Sequence, residues 1–304
     1  MLGISLIIPT FNKIDRLSLV LNSLKNQNLD NKRFEVVIID DGSTDGTETL
    51  IHNNLYNYPI KYIKQNNYGR SSARNNGILN SDHDIIVFSD DDLILPSDFL
   101  INHLKAHESQ DNIIVHGKIF NLPFMKFFKN PSNGTVYNDM DRNLKLDGLN
   151  SKLLYDQNLL NMTKIYEQSK VTYFENIIES TFKGNYSNLH WLGFTGGNVS
   201  CSKKIFNFIG LFDDEFGLNW GCEDLELGYR AFKKGYKFIY SSAACNFHMA
   251  HYRQTFKAEL HKSLEYFYLK YNDNYIYYLD KLLLGEIRDI KKYIDFCNAN
   301  QIQL

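Results

Sequence analysis

Short apolar runs alternate with longer segments of helical period through the first 120 residues. ISLIIP (4–9), EVVIID (35–40), IKYIK (60–64), DIIVFS (84–89) and NIIVHG (112–117) are rich in β-branched residues and nearly continuous in apolar character, the signature of buried strands. Between the first two, Ile14, Leu17, Val20, Leu21 and Leu24 recur at the spacing that places them on one face of a helix. Segments 45–56 and 71–80 predict the next two helices, and Ser97 is an N-cap candidate for another helix through His107. Strict alternation of strand and helix predicts βαβ units and a mostly parallel sheet, which carries ligands beyond the carboxyl ends of its strands.

The rhythm breaks over 121–190, beginning FNLPFMKFFKNPSNG, and this stretch reads as an insertion of helices and loops. After Trp191 the pattern returns, with a turn at Gly193, Gly196 and Gly197, a strand over 198–201, a helix from about Glu223 closed by Gly235, and a strand over 236–240. The Tyr-, Leu-, Lys- and Glu-rich last fifty residues predict packed helices. The fold class is therefore α/β, divided as 1–120, an insertion 121–190, a second half 191–251 and a C-terminal helical extension 252–304.

Composition narrows the picture. Of 304 residues, 43% are hydrophobic and 22% charged, with a net charge of −2, which excludes a disordered chain and gives no basic footprint for nucleic acid. Cys201, Cys222, Cys245 and Cys297 are scattered without metal or redox spacing, so free thiols in a reducing compartment are expected. The first apolar run stops at Pro9 with no basic residues before it, and no run approaches the ~20 apolar residues of a membrane span. The expected location is cytoplasmic. FMKFFK (124–129) reads either as packed structure or as a peripheral contact with a lipid surface.

Carboxylates gather at three element ends: Asp40 and Asp41 after the second run, Asp90, Asp91 and Asp92 after the fourth, and Glu223 and Asp224 at the late helix start. Three adjacent aspartates repel one another unless a cation or a set of donors offsets the charge, and hard oxygen ligands suit Mg²⁺ or Mn²⁺; the alternative is a solvated acidic turn. In IIDDGSTDGT, Ser43 to Asp45 suit helix capping, while Asp40 is open between capping and holding a nucleobase or ribose. Trp220 suits either a sugar face or a core anchor, Gly196 and Gly197 either a close substrate approach or a turn, and His248 either a metal ligand or a buried structural histidine.

The strings LIIPTFN, IIDDGSTDGT, NYGRSSARN and VFSDDDLILP, in this order, resemble the family 2 glycosyltransferases of the GT-A fold. TGGNVSCSKKIFNFIGLFDDEFGLNWGCEDLELGYRAFKKG resembles the galactosyltransferase-like half found in bacterial glycan polymerases and in animal galactosyl- and N-acetylgalactosaminyltransferases. The resemblance covers residues 1 to about 110 and 191 to about 251. It implies a Rossmann-like GT-A fold and an inverting, metal-dependent hexosyltransferase. The enzyme would take a UDP-sugar such as UDP-galactose or UDP-N-acetylgalactosamine and act on a glycan, lipid-linked or protein-linked sugar acceptor.

By the same resemblance, Thr10, Phe11, Asn12, Asp40, Gly69 and Arg74 surround the nucleotide, and Asp90 and Asp91 stand beside it. Asp92 and His248 ligate Mn²⁺ or Mg²⁺, with His251 as the alternative histidine. Asp224 is the catalytic base and Glu223 its companion. Apart from the resemblance, the residues themselves make Trp220, Gly196 and Gly197 the candidates for the acceptor side. A sugar nucleotidyltransferase expects a Gly-rich basic phosphate loop where Pro9-Thr10-Phe11-Asn12 stands. A silent nucleotide-binding scaffold expects loss of the aspartates or of the Glu-Asp pair, and all are present.

Overall fold

The computed structural model describes residues 2–110, 112–137, 161–251 and 256–301. Strand β1 (Ile4–Thr10) is buried at every position, as befits a strand covered on both faces. It is followed by α1 (Ile14–Ser23), β2 (Phe34–Asp40), α2 (Thr47–Asn53), β3 (Ile60–Lys64), α3 (Arg70–Leu79), β4 (Ile85–Phe88), β5 (Leu93–Ile94), α4 (Phe99–Ser109) and β6 (Ile113–Leu122). A small hairpin, β7 (Phe128–Asn130) and β8 (Thr135–Val136), comes next. Then follow α5 (Met162–Gln168), β9 (Lys170–Val171), α6 (Tyr173–Lys183), β10 (Val199–Ser202), α7 (Phe206–Ile209), α8 (Glu223–Lys233) and β11 (Lys237–Met249). Four helices close the described chain: α9 (Phe256–Tyr271), α10 (Asn274–Tyr277), α11 (Leu279–Leu283) and α12 (Ile290–Ala299).

One mixed sheet of nine strands runs in the order β3-β2-β1-β4-β10-β6-β11-β5, with β9 also paired to β6. The β1–β2, β1–β4, β2–β3 and β6–β11 pairs are parallel, whereas β10 lies antiparallel between β4 and β6. After β1 the chain builds outward through β2 and β3, then returns to the other side of β1 as β4. That reversal opens a crevice beyond the carboxyl ends of β1 and β4. Alternate residues of β1 feed opposite faces: Ile4, Leu6 and Ile8 join one core with Leu17, Val20 and Phe99, and Ile7 joins another with Ala73, Trp191 and Phe194.

The structure departs from the expected elements at several places. β6 runs five residues past Gly117 to Leu122, across the expected boundary at 120, and β11 runs on from Tyr240 to Met249. A shift of register between Ser241 and Asn246 lets β11 continue along β6 and then meet β5. Ser97 is not a cap: α4 begins after Asp98, whose side chain makes no cap, and the first-turn N–H of Leu100 donates instead to Gln27 Oε1 at 3.2 Å. The caps expected of Ser43 and Asp45 take another form. Ser43 Oγ accepts from Asn12 N–H, and Asp45 accepts from both Thr47 N–H and Ile14 N–H, so it serves the start of α1 as well.

Within FMKFFK, Met125 and Phe128 are buried and the other two phenylalanines half-buried. Positions 138–160 of the expected insertion and 252–255 of the expected extension lie outside the described residues. Gly235, at φ +82°, closes α8 as expected. Helix α9 docks on α8 through Phe267 against Tyr229 and through Glu226. This fully buried carboxylate accepts from Arg230 on its own helix and from Lys270 and Tyr271 on α9. All four cysteines are free and buried, and no described helix is long and apolar enough to cross a membrane.

Candidate active site

The crevice holds a cavity of about 660 Å³. Its wall includes Thr10, Phe11 and Lys13 after β1, Asp41 after β2, Gly69 and Arg70 at the start of α3, the three aspartates after β4, and His248 and His251 at the end of β11. Leu218, Trp220, Phe256 and Glu259 complete the far side.

The acidic turn is divided among three partners. Asp90 accepts from Arg74 Nη2 at 3.0 Å, Asp91 accepts from Thr10 Oγ1 at 2.8 Å, and Asp92 lies 2.6 Å from Lys13 Nζ. Burial pushes the Asp91 carboxyl up despite Lys13. Burial acts the same way on Asp92, but Lys13 and His248 outweigh it and hold that carboxyl well below its ordinary value. Lys13 feels a desolvation penalty of its own, yet the three carboxylates raise it above an ordinary lysine.

Strand pairing brings Asp92 to the histidines. β5 follows Asp92 directly and lies antiparallel to the end of β11, with Leu93 opposite His248; Met249 N–H donates to the Asp92 carbonyl at 2.9 Å. His251 Nε2 is 3.0 Å and His248 Nε2 3.7 Å from the Asp92 carboxylate. His248 Nδ1 faces Asn121 Oδ1 at 3.0 Å, a contact that orients the ring with Nε2 turned toward Asp92. One ligand atom from each of Asp92, His248 and His251 lies within 4.8 Å of the others. One carboxylate oxygen and two imidazole nitrogens can hold a divalent transition ion such as Mn²⁺. The two histidines treated as alternatives in the sequence thus stand together.

Asp40 is fully buried beneath its turn, accepting from Ser43 N–H at 2.7 Å and Tyr62 Oη at 2.6 Å. Asp41, not Asp40, is on the cavity wall, because consecutive strand-end side chains point to opposite sides. Asp41 accepts from Gly69 N–H at 2.9 Å and from Tyr68 N–H at 3.0 Å, which fixes the entry to α3. Phe11 is 44% exposed at the cavity edge. Asn12, in the left-handed region at φ +52°, accepts from Thr44 N–H and ties the loop after β1 to the loop after β2 rather than lining the cavity.

Arg74 links the first half of the chain to the second. Its buried guanidinium donates to Asp90 and, at 2.8 Å, to Glu223 Oε1. Burial would raise Glu223, but Arg74 and Arg70 bring it below its ordinary value. Asp224 accepts from Gly196 N–H and Leu225 N–H, each at 2.8 Å. Burial and the neighbouring Glu223 push its carboxyl up to about 6, a value suited to proton transfer near neutrality.

Glu223 and Asp224 do not line the cavity; the loop before them does, through Leu218 and Trp220. Gly217, Gly221 and Cys222 all take positive φ in this loop. Gly69, at φ +94°, meets it so closely that an added Cβ would lie 2.1 Å from Gly217 O. A Cβ on Gly196 would lie 2.4 Å from Arg74 Nη2, so Gly196 makes room for that guanidinium; Gly197 packs beside Asp90 and Leu93. Trp220 packs on Phe256 at 4.5 Å between ring centroids.

Lys13, Asn121, Phe256 and Glu259 were not singled out in the sequence, and Asp41 was marked there only as one of a carboxylate pair after the second run. Lys13 alone had a local signal there, as a cation directly after Thr10-Phe11-Asn12.

This sheet order and site define the GT-A fold, shared with GalNAc-T7 bound to UDP, GalNAc and Mn²⁺ (TM-score 0.60, 15% identity, covering 98% of this chain and 55% of that one). The mannosyltransferase PcManGT from Pyrobaculum calidifontis, in complex with GDP-Man and Mn²⁺, is also similar (TM-score 0.58, 15% identity, 99% and 76% covered). The chain belongs to glycosyl transferase family 2, which matches residues 5–182; residues 178–257 match the N-terminal domain of galactosyltransferase. Among curated relatives, the uncharacterized glycosyltransferase YfnE of Bacillus subtilis is 27% identical over 81% of this chain and 64% of its own length. The chondroitin synthase of Pasteurella multocida is 30% identical over 77% of this chain but only 23% of its own length.

Proposed function

We propose that this chain is an inverting hexosyltransferase that moves galactose, N-acetylgalactosamine or a similar hexose from a UDP-sugar to a hydroxyl of a glycan or glycoconjugate in surface polysaccharide synthesis. The observation that carries this reading is the convergence of Asp92, His248 and His251 on one side of a cavity that also presents Thr10, Phe11, Asp41 and Asp90. A ring on Phe11 and hydrogen-bond acceptors at Asp41 and Asp90 suit a nucleoside. A divalent ion held by Asp92, His248 and His251 would stabilise the negative charge that develops on the departing diphosphate.

Asp224 takes the proton of the attacking hydroxyl, and Arg74 with Glu223 holds the helix start that carries it. The Gly196 and Leu225 amides orient its carboxylate. An acceptor reaches Asp224 once the 217–221 loop parts from Gly69. Trp220 and Phe256 offer aromatic faces to the acceptor sugar.

Calorimetric titration with UDP and a panel of UDP-sugars, with and without Mn²⁺, tests the reading. Metal-dependent UDP binding with preference for one sugar is the expected outcome. A folded protein that binds no uridine nucleotide in the presence of Mn²⁺ would overturn it.

A further inference from the structure

Lys13 is drawn from the last position before α1 into the middle of the carboxylate and histidine cluster. Its Nζ is 2.6 Å from Asp92 Oδ2, 3.5 Å from Asp91 Oδ1 and 3.0 Å from His251 Nε2. Two of these three partners, Asp92 and His251, belong to the set of atoms that can hold a divalent ion. We infer that the Lys13 ammonium competes with that ion for Asp92, and that the diphosphate of the nucleotide resolves the competition by taking Lys13 over, so that metal and nucleotide load together. The inference rests on the metal-dependent, UDP-sugar reading of the site.

The charges require such an exchange. A divalent ion on Asp92 and His251 would stand within a few ångströms of an ammonium that shares those same two partners. Asp90 is committed to Arg74, and Asp91, which also accepts from Thr10, offers Lys13 only a longer contact of 3.5 Å. A diphosphate supplies both missing elements: oxygens that extend the coordination of the ion and acceptors for the three N–H donors of a lysine. Lys13 is suited to move, since it carries its charge on a four-carbon stem, lines the same cavity and stands at the non-helical residue preceding α1, with φ −134°. Lys13 is thus a diphosphate-binding residue whose position between nucleotides is the metal site itself.

The test is titration of Mn²⁺ alone into the wild-type protein and into Lys13→Met and Lys13→Arg, followed by UDP at saturating Mn²⁺, with circular dichroism confirming folding. The expected result is that Lys13→Met binds Mn²⁺ alone at least tenfold tighter than the wild type and binds UDP at least tenfold more weakly. Lys13→Arg, which keeps the charge, stays close to the wild type in its affinity for Mn²⁺ alone. If the wild type binds UDP with Mn²⁺ but Lys13→Met binds Mn²⁺ no tighter, the exchange is refuted while the transferase reading stands. If the wild type binds neither, both fall.

Discussion

At the residue scale the decisive groups are carboxylates given different tasks by their neighbours. Asp92 is held ionised by Lys13 and His248 against the effect of burial, whereas Asp224 is pushed up to about 6 by burial and by Glu223. Asp224→Asn is expected to leave UDP binding intact and to lower transfer by about 10³-fold or more, measured as kcat. With Asp224 in the proposed role of base, acting as its anion, wild-type transfer should rise as pH passes upward through about 6. The same substitution carries a stability signature. The folded-state carboxyl keeps its proton to higher pH than the unfolded chain does, so stability falls as pH rises from the ordinary Asp value of 3.8 toward about 6. Asparagine removes that cost, and the variant should be more stable at pH 7 by up to about 3 kcal/mol in denaturant unfolding, with little difference at pH 3. Much of this was legible in the sequence, since carboxylates after apolar runs fall at strand ends. Which of Asp40 and Asp41 lines the cavity was not, because that depends on how the strand-end turn rotates.

At the element scale, the docking of α9 on α8 turns on Glu226, a fully buried carboxylate shared by Arg230 and Lys270. Glu226→Gln keeps the shape and removes the charge, leaving both cations short of a partner. The expected loss is about 1–3 kcal/mol, below the full cost for a buried pair because both cations are partly exposed and keep other acceptors. A lowered midpoint in urea with an unchanged slope checks it. Elements of one clear period were readable: the strands of the first half and the helix starting at Glu223 lie within a few residues of where the pattern put them. β11 was seen only to Tyr240, because SSAACN carries no alternation and hides a change of register. His248 therefore could not be placed on a strand opposite Leu93, and its union with His251 and Asp92 was out of reach of local pattern.

At the scale of the whole molecule, the cavity draws its wall from both halves of the chain across one continuous sheet. Nucleotide and metal are therefore expected to stabilise the folded domain as a unit. At about a hundredfold excess over Kd, UDP with Mn²⁺ should add about 2.7 kcal/mol, read as an upward shift of a single calorimetric transition. A melt that splits in two, with only one step shifted, would show that the halves unfold separately. The α/β class and the mostly parallel sheet were readable from alternation. The antiparallel β10 between β4 and β6 was not, because nothing in a four-residue strand states its neighbours.

That interposed strand has a bearing on how the protein is made. β4 ends at Phe88 and its partner β10 begins at Val199, so a nascent chain must grow by roughly 110 residues, about 5–20 s of translation, before the open edge of β4 is covered. Through that interval Ile85, Ile86, Val87 and Phe88 line a sheet edge able to recruit any other extended segment. The same arrangement that joins the two halves of the cavity wall in the finished molecule leaves the growing one with an uncovered edge until β10 is made.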